Sequence, residues 1–310
     1  MTMKSQGSQA ENRKAQMEKQ NKEITETLRH IKNKILVMSG KGGVGKSTVA
    51  AYLSVALAKK GFRVGLMDVD LHGPSIPRIL GLKGRLGFGG NDKKMLPINY
   101  LPNMEVISIE TLMGENKDAA TIWRGPLKIG AIRQFISDID WMELDYLVID
   151  SPPGTGDEPL TVAQTITDAK ALIVTTPQEI ALADVRRGIQ MFRGVGVEVL
   201  GIVENMSYFV CSHCSERTEI FGSGGGAQMA EDLGIAADRV LVLVNRYRKR
   251  GEVRFDDFSE ALASARIETL PNDYRNVSES INLGIPLLEH DARAPLSKAL
   301  KRLVDMATAA

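Results

Sequence analysis

The residues Gly40-Lys41-Gly42-Gly43-Val44-Gly45-Lys46-Ser47-Thr48 follow an apolar run that starts at Ile35 and precede a helical pattern. In that context they satisfy G-x-x-x-x-G-K-[ST], a phosphate-binding loop between a strand and a helix. The glycines let backbone N–H groups turn inward around phosphates, and a helix starting near Ser47 adds its positive end. Lys46 brings a full charge to the β- and γ-phosphates of a nucleotide, and the Ser47 hydroxyl suits Mg2+. Two further apolar runs end in acids: Arg63–Asp68 continues into Asp68-Val69-Asp70, and Asp145-Tyr146-Leu147-Val148-Ile149-Asp150 closes on Asp150. An acid ending an apolar strand beside such a loop holds Mg2+ through water. The only two cysteines, Cys211 and Cys214, stand in a C-x-x-C spacing. That is too close to staple a fold, so reactive or metal-binding thiols are the better reading. Soft thiolates favour iron-sulfur clusters or zinc, yet both normally take four protein ligands.

The elements that must position these groups alternate. Strand patterns cover Ile35–Ser39, Arg63–Asp68, Met104–Ile109, Tyr146–Asp150, Ala171–Thr175 and Val197–Val203. Helical patterns fall at Ser47–Lys59, Pro126–Ile139, Pro159–Ile166, Ala183–Val195 and Gly225–Leu233. This alternation predicts an α/β fold with a doubly wound, mostly parallel sheet. Right-handed crossovers then bring the carboxyl ends of the strands to one edge, where motifs distant in sequence share a site. Residues 1–33 are polar and charged and read as a loose tail ending in a short helix. Residues 34–310 read as one nucleotide-binding domain, with a cysteine loop near 207–224.

The chain has 310 residues, 43% of them hydrophobic, and a formal net charge of +1. No global basic field argues for nucleic acid. No apolar run approaches the roughly 20 residues a bilayer span needs, and no apolar segment follows the N-terminal lysines, so the expected location is the cytoplasm.

Lys41 adds a second lysine early in the loop, and with it the motif resembles the deviant Walker A P-loop NTPases. These include the septum-site, plasmid-partition, nitrogenase iron protein and arsenite-pump ATPases. The resemblance implies an ATP-dependent homodimer in which Lys41 reaches the phosphate bound by the partner. It also implies that Asp70 orients the attacking water and that Asp68 sits near the metal and the phosphate loop. Residues Ser151-Pro152-Pro153-Gly154-Thr155-Gly156-Asp157 resemble a switch that senses the γ-phosphate.

With Thr175-Thr176-Pro177-Gln178 and the stretch Glu204-Asn205-Met206-Ser207-Tyr208-Phe209-Val210-Cys211-Ser212-His213-Cys214, the chain resembles the Mrp/ApbC iron-sulfur carriers over roughly residues 34–235. That family implies ATP, Mg2+ and a 4Fe-4S cluster shared by Cys211 and Cys214 of two subunits and passed to apo iron-sulfur proteins, with slow ATP hydrolysis. A two-fold dimer would supply the four thiolates. A zinc site, with His213 or across a dimer, and a redox dithiol stay open beside it.

Residues 236–310 depart from the carrier pattern and resemble the C-terminal part of pilus-assembly ATPases. They support a rival reading as a spatial-organising ATPase. They also duplicate one role, because Val203-Glu204-Asn205 and Val244-Asn245-Arg246 both look like the strand whose asparagine reads adenine. Asn205 is favoured because it is continuous with the cysteine segment. The basic run 246–250 reads as a solvated turn, and the last helix, with Leu296, Leu300 and Leu303, as docked on the sheet rather than on a membrane.

Overall fold

A computed structural model describes residues 3–71, 73–82, 87–88, 94–112, 125–206, 209–210, 217–218, 225–226, 229, 234, 241–247, 266–283 and 285–308. The strands are β1 (Ile31–Met38), β2 (Val64–Asp68), β3 (Gly87–Phe88), β4 (Met95–Leu96), β5 (Ile98–Leu101), β6 (Met104–Ser108) and β7 (Leu144–Asp150). They continue as β8 (Lys170–Thr175), β9 (Glu198–Glu204), β10 (Phe209–Val210), β11 (Arg217–Thr218), β12 (Leu241–Tyr247) and β13 (Arg266–Pro271). The helices are α1 (Met3–Leu28), α2 (Lys46–Lys59), α3 (Ile76–Ile79), α4 (Gly125–Ser137), α5 (Asp157–Thr165) and α6 (Glu179–Gly194). Three more, α7 (Tyr274–Leu283), α8 (Leu287–His290) and α9 (Pro295–Thr308), complete the set among the described residues.

Seven strands form the main sheet in the order β5-β6-β2-β7-β1-β8-β9. All neighbours are parallel except the edge pair β5–β6. Parallel strands are covered on both faces and so read as continuous apolar runs. This is why β2 is buried at every position and why all six expected strands are found. The sheet separates two cores. One packs Phe135 and Ile136 of α4, Val162 of α5 and Ile189 and Phe192 of α6. The other packs Val55 and Leu57 of α2, Ile76 of α3, Leu288 of α8 and Val304 of α9. Alanines at 50, 51, 56 and 58 let α2 lie close on the sheet.

Residues 3–28 form one helix rather than a loose tail with a short helical end. Its last turns are anchored: Ile24 and Leu28 are buried in the first core, the Thr27 hydroxyl donates to the Ser137 carbonyl, and Arg133 Nε donates to Gln20 Oε1. β1 likewise starts at Ile31, ahead of the expected Ile35, and pairs Ile31 with Leu144. The antiparallel strand β5 and the hairpin pair β3–β4 were not anticipated.

The C-terminal segment forms its own two-stranded parallel sheet, β12–β13, which lies against β9. The last helix docks as expected. Val304 is buried, Leu300 packs beside it on the core with α2, and Lys60 pairs with Asp305 at 2.5 Å. Among the described residues no helix is long and apolar enough to cross a membrane. The segment 248–250 of the basic run, and most of the expected helix at 225–233, lie outside the described residues.

Candidate functional site

The carboxyl ends of β1, β2, β7, β8 and β9 meet at one edge, and each contributes to one cluster. The loop after β1 turns at Gly43 (φ 79°) and at Gly45 (φ 93°), the residue that caps α2. A left-handed residue there frees the first amides of α2 to face a ligand. A Cβ on Gly45 would also stand 2.5 Å from Asn205 Nδ2, so this position has neither the backbone freedom nor the space for a side chain. Gly40 is small for a different reason. Its Cβ would meet Asp184 Cβ at 2.8 Å and the Val185 nitrogen at 3.0 Å, because the start of the loop rests directly on α6.

Lys46 is buried among carboxylates. Its Nζ lies 2.6 Å from Asp150 Oδ1 and 3.7 Å from Asp70 Oδ2, and 3.3 Å from Ser47 Oγ. Parallel register places Asp68 beside Asp150 on the neighbouring strand. Asp68 accepts the Asp70 amide at 3.1 Å and the Ser108 hydroxyl at 3.1 Å, while Asp70 accepts the Gly73 amide. The loops following β1 and β7 are laced together: the Ser151 amide donates to the Val37 carbonyl and the Gly154 amide to the Ser39 carbonyl.

Burial sets the protonation of this cluster. The Asp68 carboxyl is pushed up to about 8, first by desolvation and then by the Asp150 charge. Asp150 is also raised, because desolvation outweighs the attraction of Lys46. The wild-type folded protein therefore holds a proton on Asp68 that the unfolded chain releases above its ordinary value of 3.8. By linkage its stability falls as pH rises from about 4 to about 8. Asp68→Asn keeps a neutral group there and flattens that slope. At pH 8 the variant without nucleotide should exceed wild type by on the order of 1–3 kcal/mol, with the gap shrinking at pH 5. Denaturant unfolding at both pH values reads it, and parallel curves for the two proteins would refute it.

The residues present suit a nucleotide-bound Mg2+. Asp150 Oδ2 is buried with no hydrogen-bond partner, and the Ser47 hydroxyl and Asp150 Oδ1 both lie within reach of Lys46 Nζ, at 3.3 Å and 2.6 Å. Among the described residues no three His, Cys, Asp or Glu side chains converge as a metal cage.

The expected residues fall as follows. Gly40 through Ser47, Asp68, Asp70, Asp150 and Asn205 share the edge. Thr48 points out and is exposed. Asn205 Nδ2 donates to the Val44 carbonyl at 2.9 Å, whereas Asn245 lies within β12, outside the main sheet. Cys211 and Cys214 lie outside the described residues. In sequence they fall between β10 and β11, which pair antiparallel with Val210 opposite Arg217. Two participants had no assigned role. Gln178, just before α6, accepts a hydrogen bond from Lys41 through its side-chain oxygen, and Ser108 supports Asp68. Gln178 stands in the strand-end motif after Thr175, which is the signal that could have found it. Ser108 closes an apolar strand without an acid, so nothing marked it.

A phosphate loop, a buried lysine, a helix-start hydroxyl and strand-end carboxylates at the edge of a parallel sheet define a P-loop NTPase. Residues 30–304 match the family model described as NUBPL iron-transfer P-loop NTPase, and the chain belongs to that family. It is 52% identical over 208 residues, covering 66% of this chain and 79% of the relative, to a cytosolic Fe-S cluster assembly factor Nubp2 homolog of Drosophila erecta. It is 48% identical over 217 residues, 70% of this chain and 74% of the relative, to an iron-sulfur cluster carrier protein of Methanocaldococcus jannaschii. A nucleotide-binding protein of Archaeoglobus fulgidus solved with ADP aligns at a TM-score of 0.63 with 37% identity, covering 87% of this chain and 99% of that one. The cell-division ATPase MinD of Pyrococcus furiosus aligns at a TM-score of 0.56 with 20% identity, covering 90% and 99%, and shares the fold.

Proposed function

We propose that this protein is an ATP-binding iron-sulfur cluster carrier that works as a homodimer. Two copies of Cys211 and Cys214 hold one 4Fe-4S cluster as cargo and release it to apo iron-sulfur proteins. The observation that carries the reading is the position of the cysteine pair. It follows directly on the strand end, Asn205, that touches the phosphate loop, so nucleotide site and cargo site lie on one continuous segment. The carrier and assembly-factor names of relatives at about half identity support it. So does ligand arithmetic, because one subunit offers two thiolates where a cluster takes four.

In this reading the amides of residues 42–47 and Lys46 hold the ATP phosphates, and Asn205 reads adenine. Ser47 and, through water, Asp150 hold Mg2+, which neutralises charge on the phosphates when bound. Asp68 stands behind them, near the metal position, held by the Asp70 amide and the Ser108 hydroxyl. Asp70 orients the water that attacks the γ-phosphate, and Lys41 crosses to the partner's nucleotide. Hydrolysis is slow, because catalysis rests on Mg2+, lysines and a positioned water. We place the protein in the cytosol, as the Drosophila relative's name states for that protein.

Anaerobic reconstitution, followed by iron, sulfide and zinc analysis with a visible spectrum, tests the cargo site. About four irons and four sulfides per dimer are expected, and both should be lost in the Cys211→Ser, Cys214→Ser double variant. Stoichiometric zinc, or no metal in wild type, would remove the carrier reading.

A further inference from the structure

Lys41 and Lys46 stand in the same loop and are held in opposite ways. Lys46 is buried and pairs with two carboxylates, Asp150 at 2.6 Å and Asp70 at 3.7 Å. Lys41 is half-buried, and its ammonium is held by a neutral group, the side-chain oxygen of Gln178. Asp184 of α6, whose Cβ would stand 2.8 Å from a Cβ on Gly40, is paired instead with Arg187 at 3.3 Å. The backbones on both sides of the Lys41–Gln178 bond are fixed. The Lys41 carbonyl accepts the Ser39 hydroxyl at 2.8 Å, and Gly40 rests directly on α6. Gln178 immediately precedes α6, and its carbonyl accepts the Leu182 amide at 3.0 Å. Its side chain makes no cap bond to the helix. One side-chain hydrogen bond therefore joins two rigid elements. Gly42 and Gly43, the next residues of the loop, are exposed, so the long flexible stem of Lys41 can swing outward past them.

We infer that Gln178 is a positioning residue that keeps Lys41 in a resting place on its own subunit and sets how readily it leaves for the nucleotide it serves. The inference rests on the proposed reading in which Lys41 acts at a phosphate, the partner's. An ammonium has three donors, so the constraint is one of place rather than of hydrogen-bond count. On Gln178 the ammonium sits against its own α6, and contact with a nucleotide of the facing subunit draws it away from that helix. The fraction of time it is free then scales the working state. The neutral amide matters for the same reason. It accepts from the ammonium without an opposing charge, so the hold is breakable. A carboxylate in its place would add a full ion pair in a half-buried position, a stronger kind of bond.

The test measures steady-state phosphate release from the full chain with saturating ATP and Mg2+, at equal subunit concentrations. Gln178→Ala, which removes the acceptor, should raise kcat about threefold. Gln178→Glu should lower it about tenfold while leaving KM for ATP within about threefold, and the deficit should shrink at about 0.5 M salt. In a Lys41→Ala background both substitutions should change the residual rate by less than about twofold. A merely structural role would move the rate equally with or without Lys41. A carboxylate at the start of α6 suits the helix dipole, so Gln178→Glu is expected to fold; if it does not, the sign of the Gln178→Ala effect decides. An unchanged or lowered kcat in Gln178→Ala would overturn the inference, the second because it would mean that the ammonium works while still on Gln178. Effects that persist without Lys41 would overturn it as well. Mixing Lys41→Ala with Asp70→Ala subunits keeps the two ideas apart, because activity returns there only if Lys41 crosses to the partner. Recovery with Gln178 variants that behave as wild type sinks the resting place alone. Opposite shifts in Gln178→Ala and Gln178→Glu without recovery sink the crossing alone.

Discussion

Replacing Lys46 with alanine is expected to lower ATP turnover by at least about a hundredfold and to weaken the fold in the absence of nucleotide. The two effects have one origin. Lys46 is the cation at the centre of Asp70 and Asp150, with Asp68 beside them, in a place closed to solvent. Removing one partner of a buried ion pair costs about 3–5 kcal/mol, because the remaining charge is left without compensation. Here the carboxylates have a way out, since burial holds both Asp68 and Asp150 above the usual carboxylate range, and either can take up a proton once the cation is gone. The loss should accordingly be smaller near pH 5 and grow toward pH 8, as keeping those protons becomes harder. Denaturant melts across that range, with equilibrium ATP binding at pH 7.5, check both halves. Normal nucleotide binding in the variant would remove the phosphate role of Lys46. A loss independent of pH would mean that the carboxylates do not depend on it.

The reading of the phosphate loop from sequence succeeded because glycine, lysine and serine at those spacings have no use in an ordinary turn, and because the flanking strand and helix were marked by hydrophobic period. The six strands of the parallel core were legible for a related reason: burial on both faces removes the alternation that makes surface strands ambiguous. Helix α1 was hard to recognise because only Ile24 and Leu28 of its last turns enter the core, while polar partners such as Thr27 and Gln20 hold it through bonds to residues more than a hundred positions away. Strand β5 has an edge position and a bulge between Asn99 and Leu101, so it carried no regular pattern. The two competing asparagines show the limit of motif reading most clearly. Val203-Glu204-Asn205 and Val244-Asn245-Arg246 are near equivalents as text. Sheet topology separates them, because β9 borders β8 in the main sheet and, among the described residues, β12 pairs only with β13. The Gln178 contact of Lys41 was beyond motif reading for the same reason, since it depends on where the end of β8 falls relative to the loop after β1.

Lys41 is engaged with Gln178 of its own subunit, so in this arrangement its charge is parked beside α6 rather than at its own phosphate site. If Lys41 serves the partner's nucleotide while Asp70 serves its own, two inactive variants should complement each other. Lys41→Ala and Asp70→Ala homodimers each lack one required group at every site, and each should lose at least about a hundredfold in turnover. In a mixed dimer, the site on the Lys41→Ala subunit keeps its own Asp70 and receives Lys41 from the other chain, so it is complete. The second site lacks both. Equal mixing makes half the dimers mixed, each with one working site of two, and turnover should recover to about one quarter of wild type. If Lys41 acts within its own subunit, every site in the mixture lacks one group and nothing is recovered. Steady-state phosphate release from the mixture, after subunits are allowed to exchange, separates the two cases. Recovery near a quarter requires both a dimer and a lysine that crosses it. If no recovery follows demonstrated exchange, Lys41 belongs with Gln178 and its own phosphate loop.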